Sequence, residues 1–132
     1  MHCGSIQHVL GGYWGGKQIN LDGELNLGEN VADNGGLRMA YMGYKDWVKN
    51  NSPEPLLPGF KGTNEQLFFL SFSQMWCSAF SPSATFAYAK SNTHALPRYR
   101  VDGSLSNMKE FAEAFKCPAG QGLNPEKKCK LW

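Results

Sequence analysis

An apolar helix in the middle of the chain constrains the fold more than any other feature. Thr63-Asn64-Glu65-Gln66 is a capping box pattern, in which the first and last side chains each pair with a backbone N–H that the first helical turn leaves unpaired. Large apolar side chains then follow on nearly every face: Leu67, Phe68, Phe69, Leu70, Phe72, Met75, Trp76 and Phe80. A helix that is apolar all round must be buried on every side. We therefore expect it either to be the centre of the domain or to pack against protein outside this sequence.

Composition indicates a packed globular chain. Of its 132 residues, 42% are hydrophobic and only 18% are charged, and this length corresponds to one ordinary domain with a modest core. The net charge of +2 and the lack of a Lys/Arg cluster argue against a nucleic-acid-binding surface. Residues 67–80 are too few and too often polar to cross a bilayer, which takes about 20 apolar residues.

Apolar periodicity predicts two more helices. One runs from Leu27 to Lys49 and contains the pair Gly35-Gly36, which costs helix stability and so predicts a close approach to the backbone there. The last runs from about Asn107 to Lys116, capped by Ser106 or by Asn107 itself. We expect Pro82 to end the central helix and residues 84–89 to add a short helical continuation.

The remaining segments are predicted to lack regular helix. Residues 11–16, Gly-Gly-Tyr-Trp-Gly-Gly, are interpreted as a loop, and their spacing is not that of a phosphate-binding loop. Residues 94–101 are predicted to be a loop that leads into an extended segment, which would send Arg98 and Arg100 to one side. Residues 117–132 are expected to be irregular. The predicted fold class is mainly α, with long irregular connections and little sheet.

The four cysteines point to an oxidising compartment. Cys3, Cys77, Cys117 and Cys129 are far apart and form no C-x-x-C pair, which argues against a zinc ribbon and favours disulfides. The sequence 50–52, Asn-Asn-Ser, is a glycosylation sequon, although a proline follows it. Residues 1–5 do not resemble a signal peptide. We therefore expect either a cytosolic chain or one whose beginning is missing.

Chemically reactive residues give little indication of function by themselves. Glu29 and Asp33 are four residues apart and share a helix face, but such pairs are usually solvated surface charge. No H-E-x-x-H motif is present, so the sequence contains no complete zinc site. His94 is interpreted either as a loop residue without a role or as a proton or oxyanion partner. Arg98 and Arg100 are either solvent-facing or bind a ligand.

A sequence of motifs in a fixed order resembles one family. Residues 28–36, Gly-Glu-Asn-Val-Ala-Asp-Asn-Gly-Gly, resemble the G-E-N-x-A-D-x-G-G signature of the neprilysin-like (M13) zinc metallopeptidases, which include the endothelin-converting enzymes. Residues 64–77, the His94 to Arg100 segment, and residues 124–129, Asn-Pro-Glu-Lys-Lys-Cys, match the same family in the same order. The resemblance covers essentially all of residues 1–132. It implies the C-terminal part of a zincin-type catalytic domain, whose H-E-x-x-H helix lies upstream of Met1.

The resemblance implies a role for four residues. Glu29 corresponds to the third zinc ligand, and Asp33 to the carboxylate that orients a ligating histidine. His94 corresponds to the histidine that stabilises the tetrahedral oxyanion, and Arg100 to the arginine that binds a substrate carbonyl. The family pattern between these two, H-[SA]-P-G-[KN]-[YF]-R, keeps its spacing here, but the proline has moved to Pro97 and the glycine is absent.

The resemblance also implies partners and a compartment. The implied partners are peptide substrates and the missing N-terminal part, and the implied cofactor is one Zn²⁺ held together with the missing histidines. It pairs Cys3 with Cys129 and bridges Cys77 and Cys117 to absent N-terminal cysteines. The implied protein is an extracellular metalloendopeptidase, either secreted or the ectodomain of a type II plasma-membrane protein, and this chain alone is expected to be inactive. The alternative is a stand-alone secreted binding protein derived from a peptidase; an unrelated structural domain is the least favoured interpretation.

Overall fold

The chain is mainly α-helical, as predicted. A computed structural model describes residues 11–14 and 17–129, with side chains from Asn20 onward. Two short strands, β1 (Gly11–Trp14) and β2 (Lys17–Asn20), precede five helices: α1 (Leu27–Asn50), α2 (Asn64–Gln74), α3 (Pro82–Ser91), α4 (Pro97–Ser106) and α5 (Lys109–Ala114). No helix among the described residues combines the length and apolar character that a membrane span requires.

The strands form an antiparallel hairpin in which Gly11 pairs with Asn20 and Trp14 with Lys17. The predicted loop at residues 11–16 is therefore wrong for Gly11–Trp14, while residues 15–16 lie outside the described part. Glycine disfavours helix, but it does not exclude a strand that also contains aromatic residues.

The starts of α1 and α2 lie where the sequence placed them. The predicted helix from Leu27 to Lys49 is confirmed and extends one residue further. At α2, the Thr63 hydroxyl accepts from the Gln66 backbone N–H at 3.1 Å, and the Gln66 side chain accepts from the Thr63 N–H at 3.0 Å. The capping box is thus complete. The Gln66 amide also donates to the Ala114 carbonyl at 2.8 Å, which ties the start of α2 to the end of α5.

The predicted end of the central helix is wrong. α2 ends at Gln74, and Pro82 begins α3 instead of closing α2. Proline fits the first helical position because its missing N–H would be unpaired there in any case. Ser81 caps the new helix by accepting from the Ala84 N–H at 3.2 Å. The predicted helical continuation at residues 84–89 is therefore part of a separate helix.

Residues 97–106 form α4, so the predicted extended segment at 94–101 is also wrong. Pro97 again takes a first-turn position, and the N–H groups of Tyr99 and Arg100 both donate to the Leu96 carbonyl. The two arginines consequently do not lie on one side of an extended strand. Exposed Arg98 pairs with Asp102 along the same helix, whereas Arg100 points toward α1.

The last helix is shorter than predicted, and neither predicted cap is formed. α5 covers Lys109–Ala114 and has Met108 at its N-cap position, without a side-chain cap bond. The Asn107 side chain instead joins distant segments: its amide donates to Asn34 Oδ1, and its oxygen accepts from the Cys129 N–H, both at 2.8 Å. The Ser106 hydroxyl donates to the Gly103 carbonyl.

The core lies where α1, α2, α4 and α5 meet. Its buried members are Leu37, Tyr41, Phe69, Leu105, Met108 and Phe111. Phe69 is the centre: its ring stacks on Tyr41 and meets Phe111 edge-on, with centroid distances of 5.4 and 5.5 Å. A smaller cluster around Ala89 and Leu96 joins α3 to the start of α4.

Two expectations about packing are not met within the described chain. The apolar helix is not covered on every side, since Leu70, Met75 and Phe80 remain exposed. Gly35 is buried, but a Cβ at Gly36 would have no described atom within 4 Å, so the expected close approach is missing at that residue.

Three of the four cysteines lie within the described residues. Cys3, and with it the predicted Cys3–Cys129 bridge, lies outside the described residues. Cys77 and Cys117 are not joined to each other; Cys77 is exposed and Cys117 is half-buried.

Candidate functional site

The four site residues named from the sequence lie together beside the first half of α1. Glu29 and Asp33 occupy its first two turns, and because they are four residues apart they share a face. His94, from the α3–α4 connection, places Nε2 3.1 Å from Glu29 Oε2. Arg100, from α4, contacts Asp33. The structure therefore sorts the four residues into two neighbouring pairs.

Asp33 and Arg100 form a bidentate ion pair. Arg100 Nε donates to Asp33 Oδ2 and Nη2 donates to Oδ1, both at 2.6 Å. Their side chains are only 11% and 13% exposed, so the pair is shielded from water. The hydrogen bond to Asp33 raises the pKa of Arg100, and this effect outweighs the opposing effect of burial. The guanidinium is thus a fixed cation of defined orientation, with Nη1 not engaged by the carboxylate.

Trp76 holds the flat side of the same guanidinium. The Arg100 guanidinium carbon lies 3.9 Å from the Trp76 ring centroid, a cation–π contact. Sequence reasoning counted Trp76 among the core residues of the central helix. In the structure Trp76 lies just past the end of α2, outside the helix in which the sequence placed it. The one sequence signal for a further role was its indole N–H, which needs a partner when it is buried.

Glu29 and His94 form the open half of the site. Their side chains are 40% and 39% exposed, in contrast to the shielded ion pair beside them. His94 Nδ1 lies 3.2 Å from Asn92 Oδ1, and that oxygen also accepts from the His94 backbone N–H at 2.8 Å. Both ring nitrogens of His94 therefore lie next to a side-chain oxygen, Nδ1 beside Asn92 and Nε2 beside Glu29.

Asn26 connects the start of α1 to the loop that carries His94. Its amide nitrogen donates to the carbonyls of Asn92 and Thr93, both at 2.9 Å. Asn26 is buried although it lies at the N-cap position of α1, and its side chain makes no cap bond. Asn26 was not identified from the sequence, because its partners are 66 and 67 residues away along the chain. Asn92 was missed although its side chain accepts from His94 only two residues on, a local turn signal that asparagine often provides.

The described residues do not make up a zinc centre. A catalytic zinc takes three protein ligands and keeps one open position. Within residues 20–129 no group of three or more His, Cys, Asp or Glu side chains is placed to hold a metal ion. Glu29 offers an accessible carboxylate, which can supply one ligand, and the other ligands would have to come from elsewhere.

Comparison with known proteins decides the family. The model of peptidase family M13 matches residues 12–131, nearly the whole chain. The chain belongs to peptidase family M13. It is 50% identical over 117 residues to human endothelin-converting enzyme 1 and 47% identical over 118 residues to rabbit neprilysin. These alignments cover 89% of this chain in each case, but only 15% and 16% of the relatives.

Solved structures give the same M13 fold. The Haemonchus galactose-containing glycoprotein complex aligns with a TM-score of 0.81 and 35% identity, over 86% of this chain and 20% of that one. The Mycobacterium tuberculosis zinc metalloprotease Zmp1 in its open state aligns with a TM-score of 0.76 and 26% identity, over 87% of this chain and 18% of that one. The M13 family and mainly helical fold predicted from the motifs are thus confirmed.

Proposed function

We propose that residues 1–132 are the C-terminal part of the catalytic domain of an M13 zinc metalloendopeptidase that hydrolyses peptides. The observation that carries this proposal is the convergence of Glu29, Asp33, His94 and Arg100 in a chain that matches the M13 model over residues 12–131. An open carboxylate–imidazole pair beside a shielded, oriented arginine offers the two kinds of group that peptide hydrolysis needs: one for the reacting centre and one for the substrate backbone.

In this proposal Glu29 is the third zinc ligand, completing a site whose two histidines lie upstream. Its carboxylate lies on the solvent-exposed side of α1, where an incoming segment can reach it. When bound, the metal would activate a water molecule for attack on the peptide carbonyl.

Arg100 is assigned to the substrate backbone. Since Nε and Nη2 bond Asp33, the guanidinium plane is fixed and Nη1 remains to donate to a substrate carbonyl. Asp33 fixes that arginine, and each carboxylate oxygen has a further lone pair with which it can also accept a ring N–H from a ligating histidine.

His94 is assigned to the tetrahedral oxyanion. Its imidazole, held between Asn92 and Glu29, places Nε2 next to the proposed zinc ligand, where it would donate to the oxyanion. Donors aimed at the charge that develops in the transition state are among the largest contributors to catalysis.

The complete protein is proposed to be extracellular, either secreted or a membrane-anchored ectodomain. Cys77 and Cys117 would then bridge to upstream cysteines, and Cys3 would pair with Cys129. The exposure of Cys77 leaves it accessible to such a partner. The 132-residue chain by itself would be inactive, because one carboxylate does not hold a catalytic zinc.

The test begins with the coding sequence upstream of Met1, which should encode an H-E-x-x-H motif in frame. The complete protein, expressed through a secretory pathway, should contain about one zinc per molecule and cleave a fluorogenic peptide. Glu29→Gln should lower both zinc content and cleavage by more than about tenfold. The matched control is Glu24→Gln, which neutralises an exposed glutamate just before α1 and should change neither.

Two results would count against the proposal. A stop codon immediately upstream would favour the secreted binding protein instead. Retention of full zinc content by Glu29→Gln in an active protein would remove Glu29 from the metal site.

A further inference from the structure

We infer that Asn26 is a positioning residue for His94, fastening the loop before that histidine to the first turn of α1. The inference rests on the proposed function, since it concerns how the proposed oxyanion-binding histidine is kept in place. Asn26 itself contacts neither a metal nor a substrate in this scheme; it acts through the backbone of residues 92 and 93.

The geometry is that of a two-point clamp. Both N–H bonds of the Asn26 amide are used, one on the Asn92 carbonyl and one on the Thr93 carbonyl, each at 2.9 Å. These are the two peptide groups immediately before His94. Asn26 is 2% exposed, so water does not compete for these bonds.

A second step carries the constraint from the loop to the imidazole. Asn92 Oδ1 accepts the His94 backbone N–H at 2.8 Å and lies 3.2 Å from ring Nδ1. The side chain of one clamped residue therefore fixes both the backbone direction at His94 and one edge of its ring. With Nδ1 held, Nε2 is turned toward Glu29.

Glu29 cannot hold His94 in place in the active protein. The only described contact of His94 Nε2 is with Glu29, which the proposed function assigns to zinc. A carboxylate that binds a metal ion cannot also hold the loop through His94. His94 in turn must release that carboxylate in order to bind an oxyanion. The clamp at Asn26 is independent of both, because Asn26 lies three residues before Glu29 and binds the backbone carbonyls of residues 92 and 93.

The hydrogen bonding of the Asn26 side chain also indicates that its two N–H donors matter more than its oxygen. Asn26 Oδ1 is buried and has no partner among the described residues, so only the amide nitrogen is in use. Leucine, similar in shape and without a polar atom, would serve equally well if packing alone were required.

The experiment compares two substitutions at Asn26 with the same two at a control position in the complete protein. Asn26→Leu and Asn26→Ala both remove the donors but differ in volume, so an effect that they share belongs to the lost hydrogen bonds. Asn124 is the matched control: its amide also donates to a backbone carbonyl, that of Cys117 at 2.8 Å, but in the C-terminal segment.

Kinetics test the catalytic half of the inference. With a fluorogenic peptide, both Asn26 variants should lower kcat by between about tenfold and a hundredfold, because a small displacement of a catalytic group is costly, while KM stays within about twofold. Zinc content should be unchanged. Asn124→Leu and Asn124→Ala should retain kcat.

Hydrogen exchange tests the structural half without any need for activity. In both Asn26 variants the amides of residues 92–96 should exchange at least about tenfold faster, with α1 protection unchanged. If the wild-type complete protein neither binds zinc nor cleaves peptides, the proposed function fails, and this measurement still decides whether Asn26 holds the loop.

Three results would overturn the inference. The first is unchanged exchange at residues 92–96, which would show that the loop is held by other contacts. The second is a kcat loss matched by an equal loss of zinc, which would place the effect at the metal site. The third is an equal kcat loss in the Asn124 variants, which would reduce the effect to general stability.

Discussion

At the residue scale, two carboxylates on the same helix face lie in different environments. Glu29 and Asp33 are indistinguishable by spacing, and isolated pairs of this kind are usually surface charge. Their neighbours from distant segments separate them: Glu29 meets a half-exposed histidine, while Asp33 is enclosed by Arg100. Glu29 and Asp33 are adjacent because both lie on α1. Their environments differ because His94, from the α3–α4 connection, contacts one and Arg100, from α4, contacts the other.

Replacing Asp33 should be far more damaging than replacing another paired aspartate. Asp33→Asn leaves the shielded Arg100 without its carboxylate, so we expect the free energy of unfolding to fall by about 3 kcal/mol. In the matched control, Asp102→Asn breaks an ion pair with Arg98, which is 82% exposed, and should cost less than about 1 kcal/mol. Calorimetric unfolding of the two variants measures the difference. Equal losses would contradict the assignment of a shielded pair.

Tyr41 should make stability fall at alkaline pH. Burial, together with its hydrogen bond to Glu65, raises the Tyr41 pKa far above the ordinary value of about 10. Since the folded state holds the proton more tightly, this contribution is complete below about pH 10 and is lost as the pH rises above it. Tyr41→Phe should flatten the alkaline decline and remove the latest tyrosine ionisation at 295 nm. An unchanged ionisation curve would contradict this assignment.

At the element scale, three of the helices begin at a local sequence signal. The capping box fixed the start of α2, and Pro82 and Pro97 each begin a helix. The prediction that Pro82 ends the preceding helix treated proline as a stop signal alone. Proline is compatible with a first turn, and Ser81 before it provides the cap that makes this a start.

Removing the Thr63 hydroxyl should destabilise α2 through its first turn. Thr63→Ala leaves the Gln66 backbone N–H without its side-chain acceptor, and we expect a loss of about 1 kcal/mol. Thr63→Ser keeps the hydroxyl and should stay within a few tenths of a kcal/mol of the wild type. Chemical denaturation of both variants provides the test. A loss in Thr63→Ser equal to that in Thr63→Ala would point to the methyl group and not to the cap.

At the scale of the whole molecule, the described surface carries many large apolar side chains. Large side chains along α1 and after α2 are exposed, including Met39, Met42 and Met75. The chain covers only about 15% of the relatives that it matches, so much of an M13 protein lies outside it. In the proposed complete enzyme the upstream part would cover some of this surface.

A substitution at Gly36 tests whether upstream residues cover this face of α1. In the 132-residue chain Gly36→Ala should raise the free energy of unfolding by about 0.5–1 kcal/mol, because the new methyl group meets nothing described and glycine disfavours helix. Gly59→Ala is the contrast: at φ +83° it should be destabilising. In the complete protein we expect the Gly36→Ala gain to vanish as upstream residues pack there. Thermal unfolding in both contexts measures this, and an equal gain in both would show that this face stays open.

Most of the helices could be predicted because their signals are local. Apolar spacing identified α1, and Thr63 with Gln66 identified the start of α2, since a helix turn connects residues only three or four apart. The hairpin at Gly11–Trp14 and the helix at Pro97 were missed because glycine and proline are compatible with more than one structure. In these segments the surrounding chain decided which structure formed.

The sequence by itself determined the fold class, the family motifs and the identity of Glu29, Asp33, His94 and Arg100 as candidates. Only the tertiary structure decided how they pair, and it added Asn26, Asn92 and Trp76. The physical reason is the range of the forces involved: caps and periodicity act between near neighbours, whereas the Asp33–Arg100 and Asn26–Thr93 hydrogen bonds each join residues 67 positions apart. Such contacts exist only once the core around Phe69 has brought the helices together.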